Sequence, residues 1–136
     1  MKQRVKFLIL PMVTLILEIL PYGAVCNFMR PPMEEGGAAR SFRELYSYFN
    51  LTPFGYANFS PLLTALATCF VLLLALVYVI TNKEKILKTL KSFLILSIVL
   101  SLCPLLLGFR FFSIVGALIT LTLILEYLLI KFKKTL

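Results

Sequence analysis

Glu18 is the residue best placed to do chemistry, because it lies inside an otherwise apolar stretch that starts near Phe7. At a rise of about 1.5 Å per residue, it lies about 16 Å along a helix that begins there. An ionised acid at that depth in a membrane costs about 2.5–3.5 kcal/mol on insertion scales. We therefore expect Glu18 to face the interior of a bundle and to be largely protonated at neutral pH, because removal from water disfavours the charged form.

Pro21 and Tyr22 complete the candidate intramembrane polar site that Glu18 begins. Proline has no N–H, so Pro21 disturbs the helix above Leu17 and frees a backbone carbonyl near Glu18. A carboxyl beside a broken helix can form an ion, proton or amine site in a membrane protein. The alternative is a purely structural carboxyl that fixes packing through a hydrogen bond with a Thr, Ser or Tyr of another span.

Other kinds of chemistry have little support in the sequence. The chain has no His, Trp or Asp, and its three Cys form no Cys-x-x-Cys pair. We therefore predict no catalytic residues, no cofactor and no metal ligands, and we do not expect an enzyme. Cys26, Cys69 and Cys103 are either small packing residues or include an outer disulfide such as Cys26 to Cys103. Glu126 is expected to reach water near Lys131.

Composition identifies the kind of molecule that must position Glu18. Hydrophobic residues make up 60% of the 136 residues and charged residues 15%, whereas soluble domains carry about 45–50% and about 25%. A bilayer core about 30 Å thick needs about 20 mainly apolar residues per helix. Such runs predict an all-α integral membrane protein, a bundle of four transmembrane helices in one domain covering residues 1–136. The predicted spans are about 7–25, 61–80, 88–107 and 109–130.

The basic residues predict how the spans are oriented, because cytoplasmic flanks carry an excess of Lys and Arg. Ten of the 14 basic residues would share one side of a four-span protein. They are Lys2, Arg4, Lys6, Lys83, Lys85, Lys88, Lys91, Lys131, Lys133 and Lys134. We therefore expect a plasma-membrane protein with both termini cytoplasmic, and basic residues that contact anionic lipid rather than nucleic acid. A cleaved first segment is the alternative, and it would leave three spans with the N-terminus outside.

The long first extracytoplasmic loop, about residues 26–60, is predicted to carry a short amphipathic helix. Ser41 and Glu44 have the spacing of a capping box. Apolar residues then recur at i, i+3, i+4 and i+7, which predicts one apolar stripe. A helix of this length is marginal alone in water, so the stripe must rest on the bilayer or on the bundle. The candidate outer-loop interaction surface consists of Phe42, Leu45, Tyr46, Phe49, Phe54 and Tyr56.

Small polar residues recur four apart on the later spans. Ser60, Thr64 and Thr68 do so on the second span, and Ser97 and Ser101 on the third. Such spacing lets membrane helices approach closely and exchange hydrogen bonds. It predicts either close packing inside the bundle or a homodimer face.

Two segments carry a resemblance to known proteins. At residues 20–24 (LPYGA) and 48–56 (YFNLTPFGY) the chain resembles small uncharacterised four-span proteins of bacteria, and the resemblance attaches no function. The loop lengths are similar to the claudin arrangement, but the loop Trp and paired loop Cys of that family are missing. Small multidrug transporters also place a Glu in the first of four spans, but the long outer loop, the flanking residues and the position of Glu18 in this chain depart from that pattern, which leaves an analogy only.

The sequence thus leaves two function hypotheses open. The first is a structural, accessory or interaction subunit, with the lipid bilayer and another membrane protein as partners. The second is a small homo-oligomeric transporter or channel with Glu18 as an intramembrane proton or cation site.

Overall fold

The computed structural model describes residues 2–32, 37–51 and 58–132, with side chains described from Lys6 onward. Long helices and one antiparallel hairpin account for most of this part of the chain. The elements are α1 (Lys2–Ile19), β1 (Ala24–Arg30), β2 (Arg40–Tyr46), α2 (Ser60–Thr81), α3 (Glu84–Leu106), a 3-10 turn (Phe109–Phe111) and α4 (Ile114–Phe132).

Three of the helices are long and apolar enough to cross a membrane. They are α2, α3 and α4, with 22, 23 and 19 residues and mean hydropathies of 2.7, 2.0 and 2.0 over their most apolar windows. Helix α1 has 18 residues and differs because it includes Lys2, Arg4, Lys6 and Glu18. The expectation of a mainly helical chain is therefore confirmed, and three of its helices could cross a membrane by length and composition.

Two predicted span boundaries are wrong. The first span was expected to continue to about Val25, but α1 ends at Ile19 and the chain enters β1 at Ala24. Pro21 cannot donate the next helical hydrogen bond, and the Gly23 N–H instead donates to the Tyr46 carbonyl at 3.1 Å. The fourth helix begins at Ile114 rather than near residue 109, because the 3-10 turn precedes it.

The four helices pack side by side, with α1 and α3 each contacting both α2 and α4. Neighbouring helices run antiparallel. The Phe7 ring lies 6.2 Å from the Tyr78 ring, while Glu18, farther along α1, meets Thr68, which comes earlier on α2. On the other side, the Thr120 hydroxyl of α4 donates to the Ser101 hydroxyl of α3 at 3.0 Å.

The small polar residues lie inside this packing. Thr64, Thr68, Ser97 and Ser101 are each 0% exposed. The prediction of close internal packing is therefore confirmed for these positions, and they do not form an outward face for a second copy.

Antiparallel packing separates the charged residues by end. One end of the bundle holds the start of α1, the α2–α3 link and the end of α4, and therefore Lys6, Lys83, Lys85, Lys88, Lys91 and Lys131. The opposite end holds the hairpin and the 3-10 turn, with Arg30, Arg40, Arg43 and Arg110. The predicted grouping of basic residues is thus a property of the fold over the described residues.

The predicted loop helix is wrong, since the segment that would begin it at Ser41 is strand β2. β2 pairs with β1 so that Phe28 lies opposite Phe42, and their rings stack at 5.5 Å. Pairing satisfies the backbone of both segments, which a nine-residue helix with frayed ends does less well. Ser41 and Glu44 therefore form no capping box.

The residues of the candidate outer-loop interaction surface differ in how exposed they are. Phe42 and Leu45 are 37% and 40% exposed on β2. Tyr46 and Phe49 are half-buried and pack against the core. Phe54 and Tyr56 lie outside the described residues.

Candidate functional site at the buried carboxyl groups

Glu18 lies on the inner face of α1, near the hairpin end of the bundle. Its side chain is 0% exposed, as is that of Thr14 one turn earlier. Pro11 is also buried on this face. Residues spaced three and four apart share one side of a helix, so this stripe turns Glu18 toward α2 and α4. The expected interior orientation of Glu18 is confirmed.

Thr68 of α2 is the polar partner of the Glu18 carboxyl. The Thr68 hydroxyl donates to Oε1 of Glu18 at 2.8 Å. Oε2 of Glu18 is buried and has no hydrogen-bond partner among the described residues. A Thr of another helix was one of the partner types that the sequence suggested, and one carboxyl oxygen is left with unused hydrogen-bonding capacity.

The Thr68 hydroxyl has two acceptors within reach and a single proton. It lies 2.8 Å from Oε1 of Glu18 and 3.0 Å from the Thr64 carbonyl. A hydroxyl can donate once and can also accept. If Thr68 donates to Thr64, the short contact with Glu18 requires a proton on the carboxyl. The arrangement therefore fits both the carboxylate and the carboxylic acid.

The backbone carbonyl of Glu18 holds the segment that follows the hairpin. It accepts hydrogen bonds from the Tyr48 N–H at 3.0 Å and from the Ser47 hydroxyl at 2.8 Å. This carbonyl lies in the last turn of α1, where helical carbonyls lose their intrahelical donors. The expectation of a freed carbonyl near Glu18 is met by Glu18's own carbonyl, and it fixes the hairpin to the bundle.

Tyr48 closes the bundle above Glu18. Its side chain is 2% exposed and lies so close to Gly23 that a methyl group added there would be 2.8 Å from Cδ1 of the Tyr48 ring. Burial raises the pKa of Tyr48, and the charge of Glu18 adds to the effect. A Cβ at position 23 would collide with this ring, so glycine there allows Tyr48 to pack into the hairpin end of the bundle.

Pro21 and Tyr22, the other two residues of the candidate polar site, do not join Glu18. Pro21 is exposed, and Tyr22 is 57% exposed. Their place is taken by Thr68 and Tyr48. The four-residue spacing of Thr on α2 indicated that Thr68 would be buried, whereas the burial of Tyr48 depends on a hairpin that the sequence did not predict.

Glu126 is a second buried carboxyl, and the prediction that it reaches water is wrong. Its side chain is 1% exposed, and neither carboxyl oxygen has a hydrogen-bond partner within the described part of the chain. Lys131 was the expected route to water, but Glu126 lies on the buried stripe of α4 with Leu123 and Ile130. The number of residues between Glu126 and the helix end indicates how deep Glu126 lies, but not which face of α4 it occupies.

A pair of hydroxyls lies between the two carboxyls. Thr14 is one turn before Glu18 on α1, and Thr122 is one turn before Glu126 on α4. The Thr14 hydroxyl donates to the Thr122 hydroxyl at 2.8 Å. Residues four apart face the same way on a helix, so each carboxyl lies one helical turn from the same hydroxyl pair.

Cysteine and metal chemistry have no visible site. Cys26, Cys69 and Cys103 form no disulfide, so the suggested bond between Cys26 and Cys103 is not present. No group of three His, Cys, Asp or Glu residues that could hold a metal ion occurs in the described residues. The two buried carboxyls and the hydroxyls near them are therefore the groups of the described interior on which a function can be argued.

Comparisons of the chain with protein-family models, with curated proteins and with solved structures find no match.

Proposed function

We propose that this chain is a small transporter or channel subunit in which Glu18 reversibly binds a proton. The observation that carries the proposal is the fully buried Glu18 carboxyl, which has one oxygen bonded to Thr68 and the other without a partner in the described residues. An ionisable group inside an apolar bundle is costly to retain and commonly marks an ion or proton pathway. Burial alone would favour an apolar residue at this position.

A proton suits the site better than a metal cation. The nearby oxygens are those of one carboxyl and one Thr hydroxyl, whereas Na⁺-like or Ca²⁺-like ions are usually held by a larger set of oxygen ligands. The hydroxyl of Thr68 can reverse its direction of donation, because Thr64 offers a second acceptor at 3.0 Å. A rotation of the Thr68 hydroxyl therefore lets both protonation states of Glu18 keep a hydrogen bond.

The membrane arrangement is part of the proposal. We propose four spans in the plasma membrane, with α1 as the more polar one and the Lys-rich end of the bundle in the cytoplasm. Reporter fusions after Leu136 and within residues 34–38 should report opposite sides. The same side for both would replace this arrangement with an odd number of spans.

Proton movement in reconstituted vesicles tests the role of Glu18. Glu18→Gln keeps the shape and hydrogen-bonding ability of the side chain and removes the titratable proton. In vesicles with a pH-sensitive dye inside, we expect an imposed pH gradient to decay faster with the wild-type protein than with this variant. Glu44→Gln is the matched control, because Glu44 is exposed on β2. Equal decay for the wild type and Glu18→Gln would contradict the proposal.

A second candidate is an accessory subunit that binds another membrane protein through the hairpin. The favouring observation is that β2 presents exposed side chains from Arg40 to Leu45 while its base is fixed to the bundle through Glu18 and Tyr48. Rigid exposed elements bind partners with little ordering cost. Purification in mild detergent should then yield a stoichiometric second chain, which Phe42→Ala weakens. A lone homo-oligomer would favour the transporter.

A further inference from the structure

A small open cavity lies between the hairpin and the 3-10 turn, at the end of the bundle opposite the lysines. It has a volume of about 270 Å³ and is lined by Asn27, Ser41, Phe42, Arg43 and Arg110. Two arginines thus line one small space, and among the described residues no carboxylate lines it. This cavity is separate from the buried carboxyls and independent of the role proposed for Glu18.

Strand and turn geometry hold the two arginines at this cavity. The Arg43 guanidinium donates to the Phe112 carbonyl at 3.3 Å, which draws it from β2 toward the start of α4. The Asn27 amide donates to the Arg110 carbonyl at 3.4 Å, which ties the 3-10 turn to β1. The two hydrogen bonds therefore fasten the hairpin to the turn and bring Arg43 and Arg110 to the same cavity.

The arginines keep most of their donors for a ligand. A guanidinium has five N–H groups, and Arg43 uses one nitrogen in its bond to Phe112. Glu44 is the nearest carboxylate in sequence to Arg43, but it accepts a hydrogen bond from the Tyr46 hydroxyl. Glu44 is not among the described residues that line the cavity, so its carboxylate is not placed there to neutralise the arginines.

We propose that this cavity binds a phosphate group, with Arg43 and Arg110 as its charged ligands and Ser41 as an added donor. Paired guanidinium forks match the oxygens of a phosphate with two parallel hydrogen bonds each. The phosphate belongs either to a lipid headgroup or to a small soluble phosphate ester. Both sources offer the same chemistry to the two arginines.

Arg110→Gln is the primary variant, because the fold uses the backbone carbonyl of Arg110 and no hydrogen bond of its side chain. Arg40→Gln removes the same charge from the far end of β2, outside the cavity, and is the matched control. Purified protein in neutral detergent is titrated with glycerol phosphate, and phospholipid retained after purification is measured by native mass spectrometry. Arg43→Lys then tests whether the fork, rather than the charge, is needed.

A soluble ester is supported if glycerol phosphate binds saturably and binds about tenfold more weakly to Arg110→Gln. Loss of one charged hydrogen-bonding group should weaken binding by about this factor. A lipid headgroup is supported if Arg110→Gln loses the retained phospholipid, Arg40→Gln keeps it, and glycerol phosphate does not bind. Equal effects of Arg110→Gln and Arg40→Gln would overturn the proposal, since they would indicate general charge attraction. Absence of both binding and retention would overturn it too.

Discussion

The two buried carboxyls occupy similar positions in the fold but different environments. The Glu18 side chain, near the hairpin end, accepts a hydrogen bond from Thr68, and the Glu18 backbone carbonyl accepts one from the N–H of the buried Tyr48. Glu126, nearer the Lys-rich end, has both oxygens without a partner in the described residues. Burial is therefore shared and hydrogen bonding is not. A carboxyl with a reversible partner can exchange a proton at low cost, whereas one without a partner mainly destabilises the fold.

The largest expected effect on the free energy of unfolding is that of removing the Tyr48 ring, which packs at the end of the bundle nearer to Glu18. Tyr48→Ala removes a ring that is 2% exposed, and large-to-small changes at such sites cost about 3–5 kcal/mol. Tyr22→Ala is the control, because Tyr22 is 57% exposed, and such surface changes usually stay within about 0.5 kcal/mol. Unfolding in mixed micelles measures both. Similar costs for the two variants would mean that the Tyr48 ring does not pack at this end.

Replacing each carboxyl with Leu separates the two environments most directly. Glu126→Leu removes two buried oxygens that have no partner in the described residues, so it should stabilise the protein by about 1–3 kcal/mol. Glu18→Leu should change the stability much less, because it removes one unpartnered oxygen and also one hydrogen bond from Thr68. Unfolding in mixed micelles again reports the difference. Destabilisation by Glu126→Leu would show that Glu126 has a partner and that the comparison fails.

A smaller effect is expected at the partner of Glu18. Thr68→Val keeps the shape of the side chain and removes the donor to Glu18, which should cost about 0.5–1.5 kcal/mol. Thr81→Val is matched to it, because the Thr81 hydroxyl makes a similar bond to the carbonyl four residues earlier, at an exposed position. We expect that control to have almost no effect on the free energy of unfolding. Equal costs would assign the effect of Thr68 to its helix rather than to Glu18.

The smallest effect concerns an exposed carboxyl that serves as a reference for the buried ones. The Tyr46 hydroxyl donates to Glu44, and this bond raises the pKa of Tyr46. The bond exists while Tyr46 is protonated, so its contribution is present below the ordinary tyrosine pKa and is lost as the pH rises through the raised one. Glu44→Gln should lower the pKa of Tyr46, as followed by NMR. An unchanged pKa would show that the pair does not persist in solution.

Local sequence rules predicted the apolar helices well, because a helix that crosses a bilayer needs a long apolar run whatever its neighbours are. The same rules placed Glu18 on an inner face. The same rules failed between Ser41 and Phe49, because the spacing of apolar residues there fits a helix although part of the segment forms strand β2. Strand β2 exists because β1, more than ten residues earlier, supplies its hydrogen bonds. That pairing is non-local and leaves no periodic signal in either segment.

The site was only partly predictable for the same reason. The four-residue spacing of Thr64 and Thr68 showed which face of α2 would be buried, but not which hydroxyl would reach Glu18. Glu126 was misjudged because distance from a helix end sets depth, while burial depends on which face packs against α1 and α3. Ser47 and Tyr48 became part of the site through the carbonyl of Glu18.

The protonation of Glu18 tests the central claim most directly. Infrared spectroscopy of the protein in lipid nanodiscs, from about pH 5 to about pH 9, covers the range over which perturbed carboxyls titrate. Because Glu126 is buried as well, the measurement uses Glu126→Gln as its background, so that Glu18 is the one remaining buried carboxyl among the described residues. We predict in this background a protonated-carboxyl band at neutral pH that disappears reversibly as the pH rises and is lost when Glu18→Gln is added. A band that adding Glu18→Gln leaves unchanged, or that does not respond to pH, would contradict a reversible proton site at Glu18.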